Sequence, residues 1–594
     1  MSVRIAALFR PHAIALFLAF CAVPATAQTE ARDDGPLAGA FLAGRVAQAD
    51  NDFAAQATYY QRALRADPDN PLFMDAAMLA LLALGRIDEA APLAQALLDR
   101  ELESQVAALV VQADAFAQGD YTAVLDAGIA AADAPPGVAA GTGPLTDALA
   151  PPWAQIGAGR MSDALAAFDA LIEEGQFVPF ALYQKALALA LVGDFEGAEA
   201  ILAGDDSGPI NMGRRAVLAR LLVLGQLERF DIALDLIDEN FGTEPDSADI
   251  AALRDAFGAG EAPPFDMITS AAEGMGEVYS VIASVLVGDE GATLPLFYAR
   301  LARHLNPRNS DAQMLAAQML ESLEQYTLAD EAYGAIAEDD PAFLSAQLGR
   351  AQALSRAGDP DTAIARLQEI AADHPEALSV HSTLGDLLRR EERFDEAVTA
   401  YERAIDLVET PEQRHWVLFY TYAISLERAG RFEEAEPWFR RTLEFVPDNP
   451  SVLNYLGYSL IEERRNLDEA LDMIERAVEG DPNSGYITDS LGWAFYRLGR
   501  YDEAVPVMER AVELLPNDPI INDHLGDVYW MVGREREARF QWRRALSFAP
   551  HADLDLDRVR RKLEVGLDVV LAEEEAGADS REDADADANA GNGG

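Results

Sequence analysis

The chain has 594 residues, half of them apolar, with 46 Lys and Arg against 101 Asp and Glu and a formal net charge of −55. That length exceeds what one globular core supports, so several domains or a repeating, quasi-linear architecture is required. Such a negative charge argues against the cationic phosphate contacts of nucleic-acid binding, and a single cysteine, Cys21, excludes a disulfide framework and a cysteine metal site.

The first segment, "MSVRIAALFRPHAIALFLAFCAVPATAQTE", carries Arg4 and Arg10, an apolar run from Ala13 to Val23, and then Ala25-Thr26-Ala27. This is the pattern of an export signal, residues 1–27, with cleavage expected before Gln28. The apolar run is shorter than the roughly 20 residues that span a hydrocarbon core. No later segment is long and apolar enough, so no transmembrane segment is expected in the mature chain. Lipid attachment at Cys21 is not expected, because Phe20 stands where that processing wants a small residue. Loss of the signal removes two arginines and no acid, taking the formal charge to −57. The expected location is the periplasm of a bacterial envelope.

From there the chain repeats itself. Anchors in the middle of successive apolar helix-like runs fall at Gly44, Met78, Gln112, Pro152, Ala186 and Leu221, with gaps of 34, 34, 40, 34 and 35. The wide gap contains the Pro/Gly-rich "DAPPGVAAGTGPLTD". After "FGTEPDSADIAALRDAFGAGEAPPF", read as an irregular segment or degenerate unit, a second series runs Ala283, Ala317, Ala351, Gly385, Ala423, Gly457, Gly492 and Gly526, with gaps of 34, 34, 34, 38, 34, 35 and 34. A period in this range marks a solenoid of two-helix units.

The unit beginning near Ser490, "SLGWAFYRLGRYDEAVPVMERAVELLPND", shows the grammar. Leu491 and Phe495 share a face of the first helix, Gly499-Arg500 ends it, and Asp502 and Glu503 suit the positive end of the second helix's dipole. Pro516 stops that helix. The small residues Gly492 and Ala504 let the two backbones approach.

This unit resembles the tetratricopeptide repeat. The family's pattern of W, L-G, Y, A, F, A and P is met by Leu491, Gly492, Phe495, Ala504, Ala511 and Pro516, with Thr488 for the Trp and Met508 for the Phe. The next unit matches through Leu525, Gly526, Tyr529, Ala538, Trp542, Ala545 and Pro550, and the preceding one through Leu456, Gly457, Ala470, Ala477 and Pro482, with one extra residue in its turn. The resemblance implies an all-α fold, a right-handed superhelix of about 14 helix-turn-helix repeats with a C-terminal capping helix. The organisation expected is degenerate repeats over 28–240, the irregular segment 241–275, central repeats over 276–375 and well-matched repeats over 376–550. A cap at 551–575 follows, with Leu556, Val559, Leu563, Leu567 and Val570 on one face, and then an acidic disordered tail at 576–594.

No catalytic constellation is legible: the mature histidines are scattered, and the P-loop, the dinucleotide glycine fingerprint, G-x-S-x-G and H-E-x-x-H are all missing from the sequence. Neither an enzyme nor a cofactor is expected. The informative surface is a stripe on the first helices, on the side that lines the inner groove in tetratricopeptide solenoids. It comprises Asn454 and Tyr458, then Tyr486, Asp489, Trp493, Tyr496 and Arg497, then Asp523, Asp527 and Trp530. Aromatics beside a few charges are what peptide-binding hot spots are made of; packing between successive first helices is the alternative use of the same residues. The C-terminal third is similar to periplasmic tetratricopeptide lipoproteins that present substrates to carboxyl-terminal processing proteases. The expected function is an exported scaffold or adaptor for protein or peptide partners, such as a processing protease or its substrates. The alternative is a structural assembly subunit of outer-membrane or polysaccharide-export machinery.

Overall fold

The computed structural model describes residues 35–132, 141–175, 177–204, 213–242, 248–288, 291–548 and 554–576. The signal segment with Cys21, and the tail from 577 onward, lie outside them. Among the described residues the chain is helical throughout, without a strand, and no helix is long and apolar enough to cross a membrane. It divides into two compact units, one ending at Ala342 and one beginning at Phe343. This boundary falls inside the stretch read as central repeats.

Each anchor sits in the first helix of a pair, such as Gly485–Arg497 with Tyr501–Leu514. Seven residues past the anchor the chain turns through left-handed φ, in most units at a glycine such as Gly499 (φ 74°), elsewhere at Asn51, Glu228, Glu324, Glu392 and Arg464. This is the left-handed helix cap that favours glycine, and the side chains found there carry a steric cost. The next residue is often an arginine that forks onto a glutamate three residues on: Arg500 donates to both carboxylate oxygens of Glu503 at 2.7 Å. Arg86–Glu89, Arg393–Glu396, Arg431–Glu434 and Arg534–Glu537 repeat the pair. The hydrogen bond from Arg500 holds the Glu503 carboxyl below its ordinary range.

The small anchor has a steric reason. A Cβ on Gly492 would lie 2.6 Å from Met508, and one on Gly526 would lie 2.4 Å from the Trp542 ring. At two anchors of the N-terminal series that depart from the small residue, the volume moves across the crossing. Sixteen residues after Met78 and Gln112 stand Ala94 and Gly128, where later units carry Tyr401, Phe439, Met508 and Trp542. The exchange is not general, since the buried Phe168 and Ile237 stand sixteen residues after Pro152 and Leu221.

In the N-terminal unit the first helices Pro71–Ala83, Gln105–Gln118, Pro144–Gly157 and Val178–Leu191 do not face an open groove. The helix Ala271–Leu286 packs against the last three of them, and its partner Thr293–Leu305 packs against the first two. Residues Gly274 to Ala283 are buried without interruption, the mark of a helix enclosed on all sides. Gly274 is the point of closest approach, since a Cβ there would sit 2.3 Å from the Trp153 ring. Tyr279 donates its hydroxyl to Gln112 Oε1 at 2.9 Å, and Arg300 Nε donates to the Ala83 carbonyl at 3.0 Å. A buried ionic cluster pins the same hairpin: the fully buried Glu277 accepts from Arg215 Nε at 2.7 Å and from the Tyr183 hydroxyl at 3.0 Å, while Arg215 also pairs with Asp311. Burial alone would lower the Arg215 pKa; Glu277 and Asp311 overcome it and raise the value.

The C-terminal unit stacks six helix pairs from Phe343–Arg356 to Glu535–Phe548. First helices touch the first helices of the next unit more than second helices touch second, which places the first helices on the inside of the curve. The cap is not one helix. Leu556–Val565 ends at Gly566 (φ 92°), and a second short helix follows over 567–576. Glycine is required at the break, because its φ is positive and a Cβ there would come within 2.5 Å of the Trp530 ring.

Candidate inner-face binding site

The ten stripe residues lie on three successive first helices, Pro450–Glu462, Gly485–Arg497 and Pro519–Met531. Each starts at a side-chain cap: Asn449 Oδ1 accepts from Ser451 and Val452, Ser484 Oγ from Ile487, and Asp518 Oδ1 from Ile520 and Ile521. These caps satisfy otherwise orphaned amides and fix where each helix, and so each side chain of the stripe, begins.

Three members are committed to the cap. Asp523 and Asp527 are buried, and the fully buried Lys562 of Leu556–Val565 donates to Asp523 Oδ1, Asp523 Oδ2 and Asp527 Oδ1, each at 2.7 Å. Trp542 Nε1 donates to Asp527 Oδ1 at 2.8 Å, and Arg558 pairs with Asp527 Oδ2 at 3.4 Å. Burial pushes the Asp523 carboxyl up, and Asp527 adds to this while Lys562 opposes it. These aspartates therefore meet a basic group supplied by the chain's own C-terminus, not an open groove. Trp530 is half-buried, with its Nε1 donating to Asp568 and the Arg539 guanidinium 4.7 Å from its ring.

The middle of the stripe is a stacked layer. Trp493, 9% exposed, lies between the Tyr496 ring at 4.6 Å and the His524 ring at 4.0 Å, and donates through Nε1 to Glu462 at 2.8 Å. Asp489 Oδ2 lies 3.0 Å from His524 Nδ1. Burial disfavours the charged imidazole, but Asp489, helped by Asp523 and Asp527, outweighs it and raises the His524 pKa. Arg497 reaches Glu462 at 3.4 Å.

Asn454, Tyr458 and Tyr486 remain outside these locks. Asn454 is half-buried, yet its Oδ1 is enclosed without a hydrogen-bond donor. Tyr458 is half-buried, with its phenol pushed up by burial and by Glu462 and Asp489. Tyr486 is 62% exposed. Stepping the stripe back by 34 residues adds positions that the sequence reading stopped short of. Tyr420 stands edge-on to Tyr455 at 6.1 Å, and the Tyr455 hydroxyl donates to Glu427 at 2.9 Å. The signal for them was the period itself.

The molecule is thus an all-α solenoid of helix pairs whose first helices form the inner layer. It is a tetratricopeptide repeat protein: that family matches residues 345–377, 376–448, 420–485, 456–519 and 490–552, and again 179–203. The chain is 30% identical over 159 residues to the TPR repeat-containing protein PA4667 of Pseudomonas aeruginosa, an alignment spanning 27% of this chain and 26% of that relative. Among solved structures, the APC/C hetero-tetramer Cut9-Hcn1 is similar at 15% identity and a TM-score of 0.37, covering 78% of this chain and 96% of the other. MamA AMB-1 is similar at 22% identity and a TM-score of 0.24, covering 28% and 96%. Tetratricopeptide proteins of this kind are scaffolds for protein–protein interaction.

Proposed function

We propose that the C-terminal unit is the partner-binding part of an exported scaffold, and that an extended segment of a protein partner lies along the first-helix faces around Asn454, Tyr458 and Tyr486. The observation carrying this reading is the contrast between equivalent faces. In the N-terminal unit the inner face is filled by Ala271–Leu286, whereas Tyr486 in the C-terminal unit stands in solvent. The reading includes an envelope location after cleavage before Gln28, and an adaptor role toward a processing protease or its substrates.

Affinity capture from the native envelope tests this reading, comparing the wild type with Tyr486→Ala combined with Tyr458→Ala. The expected result is at least about a thirtyfold loss of capture for two anchor positions, at unchanged helicity. Equal capture by the folded double variant would place the partner site elsewhere.

A further inference from the structure

In the N-terminal unit two consecutive helices and a third distant in sequence bring together Asp88, the second residue of Ile87–Leu98, Asp114 of Gln105–Gln118, and His304 in the last turn of the inserted helix Thr293–Leu305. One carboxylate oxygen from each aspartate and one ring nitrogen of His304 lie within 4.8 Å of one another. Two carboxylates do not converge without a compensating charge unless something offsets their repulsion, and here no Lys or Arg pairs with either of them among the described residues. Asp114 accepts only from the neutral Gln118 amide, at 2.8 Å. His304 adds an independent sign, since its Nε2 is enclosed and has no hydrogen-bond partner.

The nearby arginines are occupied elsewhere. Arg300 Nε donates to the Ala83 carbonyl and Arg303 Nε to Gln313 Oε1 at 3.2 Å.

We propose that Asp88, Asp114 and His304 bind one divalent cation of borderline softness, of the Zn²⁺ class, which clasps the inserted hairpin to the solenoid around it. The donor set decides the class: an imidazole with two carboxylates suits Zn²⁺ and its neighbours, whereas Ca²⁺ and Mg²⁺ take oxygen alone. The size agrees. The centre of a triangle with 4.8 Å sides lies about 2.8 Å from each corner, so side-chain shifts of about 0.6–0.8 Å reach the 2.0–2.2 Å of Zn–O and Zn–N bonds. Asp88 is exposed, so the site has an entry path from solvent. Because one ligand comes from the hairpin and two from the surrounding helices, the ion would stabilise the filled state of the N-terminal inner face.

The full chain is titrated with Zn²⁺ by calorimetry in excess Mg²⁺, which saturates the many surface carboxylates, and with Co²⁺ followed by visible absorption. The expected result is one tight Zn²⁺ per chain, a raised melting temperature, and a Co²⁺ band that His304→Gln abolishes. Affinity should fall at least about tenfold in His304→Gln and in Asp114→Asn. Asp88→Asn, at an exposed position, keeps the test valid if either of those folds poorly, and should weaken binding likewise. Failure of the wild type to bind Zn²⁺ above the Mg²⁺ background, or equal binding by folded His304→Gln and Asp88→Asn, would overturn the proposal.

Discussion

The two units use the same repeat toward opposite ends. In the N-terminal unit the inner face is a core: Gln112 gives its amide oxygen to Tyr279, Trp153 packs over Gly274, and Arg215 joins the buried Glu277 to Asp311. In the C-terminal unit the corresponding faces are covered only by the neighbouring repeat and the cap: His524 lies over Trp493 and Asp489, Lys562 closes over Asp523 and Asp527, and Tyr486 stays exposed. A solenoid's inner face is thus a pool of apolar and polar groups that the chain can fill from within or leave to a partner. The drift of the anchors follows this division, since Met78 and Gln112 stand in the unit whose inner face is filled.

The largest effect expected is at the filled face. Arg215→Met would leave Glu277 buried without its cation, a loss of about 3–5 kcal/mol, read as hydrogen-exchange protection lost over residues 71–311 while residues 378–548 keep theirs. Loss spread evenly over both units would break the comparison. Lys562→Met should cost less, because the end of the solenoid can undock and rehydrate Asp523 and Asp527. Its sign with pH is specific: Asp523 has a folded pKa raised above its unfolded value, so the folded state holds the extra proton and stability falls as pH rises from about 4 through the raised value. The variant's cap should therefore be better protected near pH 4 than at pH 7, and the opposite order would contradict the ionic account. Ala504→Leu, at a fully buried crossing, should cost about 1–3 kcal/mol, felt mainly by the pairs on either side. Smallest is Glu392→Gly at the left-handed turn, which should stabilise by up to about 1 kcal/mol in thermal unfolding.

The helix pairs were legible because their causes are local. A small anchor, a turn seven residues on and a proline or acidic cap recur in one stretch of chain, and the period then carries them across weak units. The stripe was legible as a stripe, since i, i+3, i+4 spacing puts Tyr486, Asp489, Trp493 and Tyr496 on one side of a helix. Its burial was not. Trp493 is covered because His524 arrives from the next unit, and Asp527 because Lys562 arrives 35 residues later. The filled N-terminal face depends on contacts such as Gln112 with Tyr279, 167 residues apart, which no local pattern announces. The nearest hint was the tract Gly274–Ala283, small or apolar around nearly the whole helix. The break at Gly566 was likewise hidden, because continuous apolar spacing through Leu567 and Val570 reads as a single helix.

The most direct test of the division between a filled and an open inner face is photo-crosslinking in the native envelope, with the reactive side chain placed once at Gln112 and once at Asn454. The account predicts an internal crosslink from position 112 to residues 271–286, and capture of another protein from position 454. Capture of a partner at position 112, or only internal crosslinks at position 454, would contradict it.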